Sequence, residues 1–263
     1  MVTFQHPEPR PCWLPMTNRP LPFERSAEYY DAIYDAVGKD YGKEAARIHQ
    51  LVRAHKRSAG DALLDVACGT GRHIESMRKH YTCEGVDLQS KLLAAARKRN
   101  PGVVFHHGNM LTFNLNKQFD AITCLFSAIG YMRSVGELNR AIKNMARHLR
   151  VGGVLIVEPW LSPRDIIPGH VGAVFVNQPR LKLARMNIVE VKGRLSIIEF
   201  HYLLGRPEGV HHFTEHDEFG LFTRNEYLAA FRRAGLTGEY DRKGLTGRGS
   251  TGRGLYIGVK PPP

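Results

Sequence analysis

The chain has 263 residues, 43% of them hydrophobic and 24% charged, which is ample for a sizeable core and excludes wholesale disorder. Lys and Arg number 37 against 25 Asp and Glu, a formal net charge of +12 that favours anionic partners, yet the positive charges are scattered rather than blocked. No uncharged apolar run reaches the roughly 18 residues of a membrane span, so an integral membrane protein is not expected.

Residues 1–25 are expected to be a disordered arm, because Pro7, Pro9, Pro11, Pro15, Pro20 and Pro22 favour extended backbone. Met16 is a second candidate start, since the amphipathic pattern begins only after Arg25. The arm lacks the apolar core of a signal peptide. Cys12, Cys68, Cys83 and Cys124 form no Cys-x-x-Cys pair, so neither a zinc site nor a disulfide scaffold is expected. A cytoplasmic location without a bound metal is the resulting expectation.

Helical spacing of Tyr30, Ile33, Tyr34, Val37, Tyr41, Ala45, Ile48 and Leu51 predicts helix over 26–57, broken at Gly38. A short buried strand over 62–67 leads into Cys68-Gly69-Thr70-Gly71 and a helix over 72–80. A second strand over 84–87 is followed by a helix over 90–99. Strands over 103–106 and 119–126, a helix over 134–149 and a strand over 154–157 continue the alternation. This is the rhythm of a doubly wound, mostly parallel α/β sheet. After Pro159 it stops. Four strand-like runs at 173–176, 182–191, 195–204 and 210–221 have turn residues between the later ones and predict an inserted antiparallel lid. A helix over 223–234 and a strand over 255–259 close the chain. The expected division is a sheet domain at 26–160, a lid at 161–222 and a completing segment at 223–260.

The strongest local signal is Leu64-Asp65-Val66-Ala67-Cys68-Gly69-Thr70-Gly71 between a strand and a helix. Glycines there let backbone approach a ligand closely. A dinucleotide turn would carry a third glycine where Ile74 stands, and that departure favours S-adenosylmethionine (SAM) over NAD. Asp87 ends the second strand, where a carboxylate accepts from ribose hydroxyls. Gly108-Asn109-Met110 ends the third strand, where such folds hold the adenine.

These features resemble the class I SAM-dependent methyltransferases, with their Rossmann-like sheet. Further strings narrow the likeness: Gly38-Lys39-Asp40-Tyr41, Phe126-Ser127-Ala128-Ile129-Gly130-Tyr131, Val157-Glu158-Pro159-Trp160 and Ser250-Thr251-Gly252-Arg253-Gly254-Leu255-Tyr256. Their order and spacing resemble the TDP-3-amino-sugar N,N-dimethyltransferases, which finish desosamine- and mycaminose-type antibiotic sugars. The likeness spans about residues 26–260. It implies SAM as cofactor, bound by Tyr41, Asp65, Ala67, Gly69, Gly71, Asp87, Leu88, Asn109, Met110 and Phe126. It implies a nucleotide-sugar site lined by Tyr34, Trp160, Arg185 and Arg253, with Tyr131 beside the methyl-transfer axis. Tyr131 and Glu158 are the candidates for orienting the amine or relaying its proton. Two departures fall in the lid: Asn187-Ile188-Val189 replaces a polar Ser-His-Ser-like stretch, and Asp217 stands where the family often carries His.

The implied activity is N-methylation of a TDP-linked amino sugar by in-line displacement, with alignment and a dry pocket as the protein's main contribution. The alternative is a SAM-dependent methyltransferase for another small amine or for RNA. Cys124-Leu125-Phe126-Ser127 stands where many RNA base methyltransferases carry Asn/Asp-Pro-Pro-aromatic, so nucleic acid is not the expected partner. A homodimer is left open. Thr-Gly-Arg-Gly stands in tandem at 246–249 and 251–254; the resemblance, through its Gly-Arg-Gly-Leu string, implies that Arg253 holds the substrate diphosphate and leaves Arg248 to solvent or a long-range role.

Overall fold

A computed structural model describes residues 21–245 and 254–262. The arm through residue 20, Met16, Arg248 and Arg253 lie outside the described residues. Helix α1 (Tyr30–Ala36) ends at a turn in which Gly38 N–H donates to Asp35 and Lys39 N–H to Tyr34. Helix α2 (Tyr41–His55) starts at once, capped by Asp40 Oδ1, which accepts from Lys43 N–H at 2.9 Å.

The alternating segment comprises β1 (Ala62–Val66), α3 (Arg72–Met77), β2 (Thr82–Asp87), α4 (Ser90–Arg99), β3 (Val104–His107), β4 (Phe119–Cys124), α5 (Val135–Arg147) and β5 (Leu149–Val157). β6 (Val171–Gln178), β7 (Leu181–Lys192), β8 (Leu195–Arg206) and β9 (Gly209–Gly220) follow, then α6 (Arg224–Arg233), β10 (Thr237–Asp241) and β11 (Leu255–Val259). Seven strands form one sheet in the order β10-β11-β5-β4-β1-β2-β3, parallel from β5 to β3 and antiparallel at β10 and β11. Strand order reverses between β1 and β4, so a crevice opens at their carboxyl ends. β1 and β4 are buried on both faces, as their near-continuous apolar runs require. One core layer packs α5 and α6 against the sheet through Leu138, Ile142, Tyr227 and Phe231. The other packs α2, α3 and α4 through Ile48, Leu51, Ile74 and Leu93.

β6 to β9 form a separate antiparallel sheet in chain order. Its two faces differ by the strand period of two. Arg185, Asn187, Val189, Ile198, Phe200, Tyr202, Glu215, Asp217 and Phe219 lie on the covered face, while Met186, Ile188, His201, Leu203 and His212 are exposed. The covered face packs on α1 and the turn before it through Tyr29, Ile33, Tyr202 and Phe213.

Three readings need correction. Residues 21–25 do not continue a disordered arm: Pro22 O accepts from Gln89 Nε2, Glu24 O from Lys91 Nζ, and Arg25 N–H donates to Glu215 at 2.8 Å. Proline composition concealed these contacts because each uses backbone atoms, which any residue supplies. Strand β10 has no counterpart in the sequence reading, since Thr-Gly-Glu-Tyr-Asp shows neither an apolar run nor a β-branched cluster. It forms as the sheet edge by pairing with β11 over Thr237–Asp241. Strand β5 also begins earlier than expected, at Leu149, and runs through the Gly152-Gly153 turn. Among the described residues no helix is long and apolar enough to cross a membrane.

Candidate functional site

The carboxyl ends of β1 to β5 and the covered face of the lid enclose a cavity of about 710 Å³. That volume is in the range of pockets that hold drug-sized ligands, roughly 300–1,000 Å³. At one end lies the turn after β1. Ala67 and Gly69 line the cavity with φ of 57° and 54°. A side chain at Gly69 would narrow the approach of a ligand to the backbone there. Gly69 N–H donates to Asp87 Oδ2 at 2.8 Å, and Gln89 N–H donates to Asp87 Oδ1 at 2.7 Å. Burial raises the Asp87 pKa, while these amides oppose the shift. Each carboxylate oxygen keeps a second lone pair, so a ligand diol still finds acceptors.

Leu88, Leu92, Met110 and Leu111 form an apolar wall beside Asp87. Asn109 lies in the same wall, and its Oδ1 accepts from Leu111 N–H at 2.9 Å. One lone pair is thus committed to the turn, and the remaining one can meet an exocyclic amine. Over this end runs an aromatic series, Phe23–Tyr30–Tyr34–Phe126, with ring centroids 5.0, 4.6 and 4.7 Å apart in successive edge contacts. Burial raises the Tyr34 pKa, and Arg185 opposes that shift.

The other end lies under the lid. Trp160 stacks on Phe219 at 4.5 Å, and Tyr131 packs on the same ring at 4.7 Å. Tyr131 Oη donates to Asp217 Oδ2 at 3.2 Å. The Arg185 guanidinium lies 5.1 Å from the Phe200 centroid and 5.7 Å from that of Tyr34. Trp160 Nε1 and Arg185 Nε are buried donors without a partner among the described residues. Such orphans are costly unless a ligand supplies acceptors.

The structure thus brings Ala67, Gly69, Asp87, Leu88, Asn109, Met110, Phe126, Tyr34, Tyr131, Trp160 and Arg185 into one cavity. Four other expected residues stand behind its wall. Asp65 accepts from Thr123 Oγ1 at 2.7 Å, tying β1 to β4, and burial pushes its pKa up to about 6. Gly71 begins α3 at φ 73°, where a Cβ would meet Asn100 Nδ2 at 2.7 Å, so it serves close packing on α4. Tyr41 sits at the start of α2 beside His73, and its buried hydroxyl has no partner among the described residues. Glu158 Oε2 accepts from Phe126 N–H at 2.6 Å. This bond ties the Glu158 side chain to the backbone at the cavity's edge.

That last bond matters because Phe126 and Ser127 both have left-handed backbone, with φ of 52° and 58°. Two such non-glycine residues in succession are strained by roughly 1–3 kcal/mol each. Ser127 Oγ donates to Pro159 O at 2.7 Å, and Lys39 Nζ lies 3.9 Å from the Phe126 ring centroid. Lys39 is itself fixed by Glu44 at 2.7 Å, and Glu44 also bonds His73 Nε2 at 2.7 Å. Buried charges hold this turn from behind, and sequence reading did not find them.

The residue most conspicuously missed as a site group is Asp217. It is 9% exposed and lines the cavity. Burial pushes its pKa up to about 7, with Glu215 adding to the rise and Tyr131 and Arg185 opposing it. The alternation of Phe213, Glu215, Asp217 and Phe219 contained the signal: two carboxylates share the apolar face of a strand.

Comparison with known proteins follows the same division. A family profile described as a methyltransferase domain matches residues 63–153, which run from β1 into the middle of β5. A dTDP-3-amino-3,6-dideoxy-alpha-D-glucopyranose N,N-dimethyltransferase of Streptomyces fradiae is 42% identical over 89% of this chain and 90% of that protein. The crystal structure of Streptomyces venezuelae DesVI superposes with a TM-score of 0.82 at 39% identity, covering 90% of this chain and 98% of that one. SAM-bound CalS10 of Micromonospora echinaspora, an amino pentose methyltransferase, superposes with a TM-score of 0.78 at 38% identity, covering 92% and 99%.

The raised Asp217 pKa has a consequence for stability. The folded value, about 7, exceeds the ordinary carboxylate value of 3.8, so the folded state binds the proton more tightly. The contribution is complete below about pH 4 and is lost as pH rises through about 7. Asp217→Asn removes this dependence while keeping an acceptor for Tyr131. The melting temperature of the variant minus that of the wild type, measured without ligand, increases between pH 4.5 and pH 8. A flat difference across that range removes Asp217 as the titrating group.

Proposed function

Because the chain belongs to the dTDP-amino-sugar N,N-dimethyltransferases, we infer that its cavity joins SAM to the amine of a dTDP-linked amino sugar and that the product is the dimethylamine. The observation that carries this reading is the continuity of one cavity from Gly69 and Asp87 to Trp160, Arg185 and Asp217. A methyl donor and a sugar must meet in one dry space, and the lid closes that space over the carboxyl ends of the strands.

The cofactor end fits SAM on this chain's own features. The diol acceptors of Asp87, the open approach at Gly69 and the apolar wall of Leu88 and Met110 suit its ribose, backbone-bound part and adenine respectively. Bound there, the cofactor supplies an activated methyl group on a sulfonium. The protein's share is then alignment, which is worth several orders of magnitude when reacting atoms are held in line. Trp160 and Phe219 provide a flat wall for the sugar ring, and Tyr131 orients polar groups against it. Phe126 sets the boundary between the two ends, and the Glu158 carboxylate acts as a positioning residue by accepting from the Phe126 N–H. Arg185 and Arg253 are proposed to hold the nucleotide portion, Arg253 from the Gly-Arg-Gly-Leu string that the family carries.

Three outcomes test this reading. Incubation with SAM and dTDP-3-amino-3,6-dideoxy-α-D-glucopyranose gives a product heavier by two methyl groups in mass spectrometry, whereas methylation confined to oxygen or carbon sinks it. Asp87→Ala removes two ligand acceptors, each worth roughly 1.5–3 kcal/mol at most, and lowers SAM affinity at least tenfold by calorimetry. Unchanged affinity in a folded variant takes Asp87 out of the site. Arg253→Ala raises the KM for the nucleotide sugar tenfold or more without changing SAM affinity, since a bidentate guanidinium–phosphate pair carries roughly 1.5–3 kcal/mol. Equal KM values assign the diphosphate to other residues.

A further inference from the structure

The lid contributes a carboxylate whose charge the described residues do not balance. Asp217 lies nine-tenths buried in the cavity wall, in the row of the lid sheet that it shares with Ile198 and Val189. Both neighbours are buried aliphatics. No Lys, Arg or His among the described residues forms an ion pair with it; its one hydrogen bond comes from Tyr131 Oη at 3.2 Å. The other groups that bear on it are Glu215 on the same strand, which repels, Arg185 on β7, which attracts from a distance, and Tyr34 on α1. Glu215 is itself held by the backbone of Arg25 and Ser26. Arg185 stands two covered rows away along the sheet, opposite Tyr202. A carboxylate in such surroundings is costly unless a cation joins it.

We propose that Asp217 is the amine-recognition group of the site, pairing with the sugar as an ammonium ion, and that it then accepts the ammonium proton so that the nitrogen lone pair is free for methylation. The proposal rests on the amino-sugar reading above. In the proton step one N–H bond breaks, one O–H bond forms on Asp217 Oδ1, the oxygen that Tyr131 leaves free, and the nitrogen keeps the electron pair. Once the nitrogen has gained a methyl group it is again cationic. The carboxyl proton passes to solvent, and the site is reset for the second transfer with one proton released per methyl group. Tyr131 acts beside it as a positioning residue, holding one oxygen so that the other faces the ligand. The raised affinity of Asp217 for protons suits this role, since a general base works best with a pKa near the working pH. Trp160 and Phe219 define where the sugar ring must lie to bring its amine to this oxygen.

The test compares binding of dTDP-3-amino-3,6-dideoxy-α-D-glucopyranose with that of its 3-hydroxyl counterpart, by calorimetry on the full chain in the presence of S-adenosylhomocysteine. The wild type prefers the amine tenfold or more. Asp217→Asn loses tenfold or more in affinity for the amine and less than twofold for the hydroxyl sugar. Titrations in two buffers of different ionisation enthalpy count protons exchanged on binding, and the count changes in Asp217→Asn. Tyr131→Phe weakens binding of the amine yet retains the preference for it. In kcat/KM against pH, the limb near pH 7 in the wild type moves to the titration of the sugar amine itself in Asp217→Asn. Equal losses on both sugars, or an amine preference that survives the substitution, overturn the role of Asp217 while dimethylation by the wild type leaves the proposed function standing. A wild type that leaves the amino sugar unmethylated overturns both.

Discussion

The N–H of Gly69 donates to Asp87 between the carboxyl ends of the paired strands β1 and β2, and the geometry of the rest of the cavity is built outward from that bond. A turn amide pointing away from the sheet needs an acceptor, and a buried carboxylate needs donors. Each satisfies the other, so the turn cannot relax without exposing a charge to an apolar wall. The fixed turn presents Thr70, whose Oγ1 donates to Asp31 on α1 at 2.7 Å, while Arg99 on α4 bonds both Asp31 and the carbonyl of Thr70. α1 is thereby set against the cofactor turn. Its tyrosines then reach in two directions, Tyr30 and Tyr34 over the cavity and Tyr29, just before it, into the core of the lid. The position of the lid relative to the sheet therefore descends, contact by contact, from a carboxylate at the end of β2.

The lid uses the period of two for two purposes. Its covered face must pack on α1 and close over the crevice, which accounts for Tyr202, Phe213, Ile198 and Val189. The same face carries Arg185, Glu215 and Asp217, polar groups that packing alone would exclude. A sheet is well suited to this mixture. Each row is held by ladder hydrogen bonds whatever its side chains, so charged groups can be placed at chosen rows without loss of the strand. The turn at Phe126 and Ser127 solves a different problem, holding two left-handed residues at the junction of the two ends. Strain of that kind persists only when surroundings over-determine it, and Glu158, Ser127 Oγ and the Lys39–Glu44–His73 series do so here.

The parallel sheet was legible in the chain because its strands are buried on both faces and its helices are amphipathic, so burial writes itself into composition. The final strand matches residue for residue over Leu255–Val259, and α4 over Ser90–Arg99. The glycine turn after β1 was legible because glycine spacing reports backbone geometry directly. Other features had no comparable mark. β10 is an edge strand defined by its partner, and residues 21–25 are held through backbone atoms. Glu158 and Asp65 carry the right chemistry at the ends or middles of the right strands, but the direction of a side chain depends on register with a neighbour, which one sequence does not encode locally. Asp217 was noticed as a departure from a family pattern, while its significance came from burial and from the ring of Tyr131 beyond it.

The net charge of +12 and the acidic lid interior are compatible because they act over different distances. Scattered positive charge raises the local concentration of an anionic ligand over nanometres, and salt screens it. Inside the cavity the low dielectric makes individual groups decisive. There the covered face of the lid is polarised along its strands, with Arg185 in one row and Asp217 two covered rows further on. A nucleotide amino sugar is polarised in the same sense, with a diphosphate at one end and an ammonium at the other. The reversed orientation would bring phosphate against Asp217 and Glu215 and ammonium against Arg185, a double repulsion in a medium that screens little. On the proposed roles of Arg185 and Asp217, the basic surface gathers nucleotides and the order of charges along the lid favours the one whose far end is a cation.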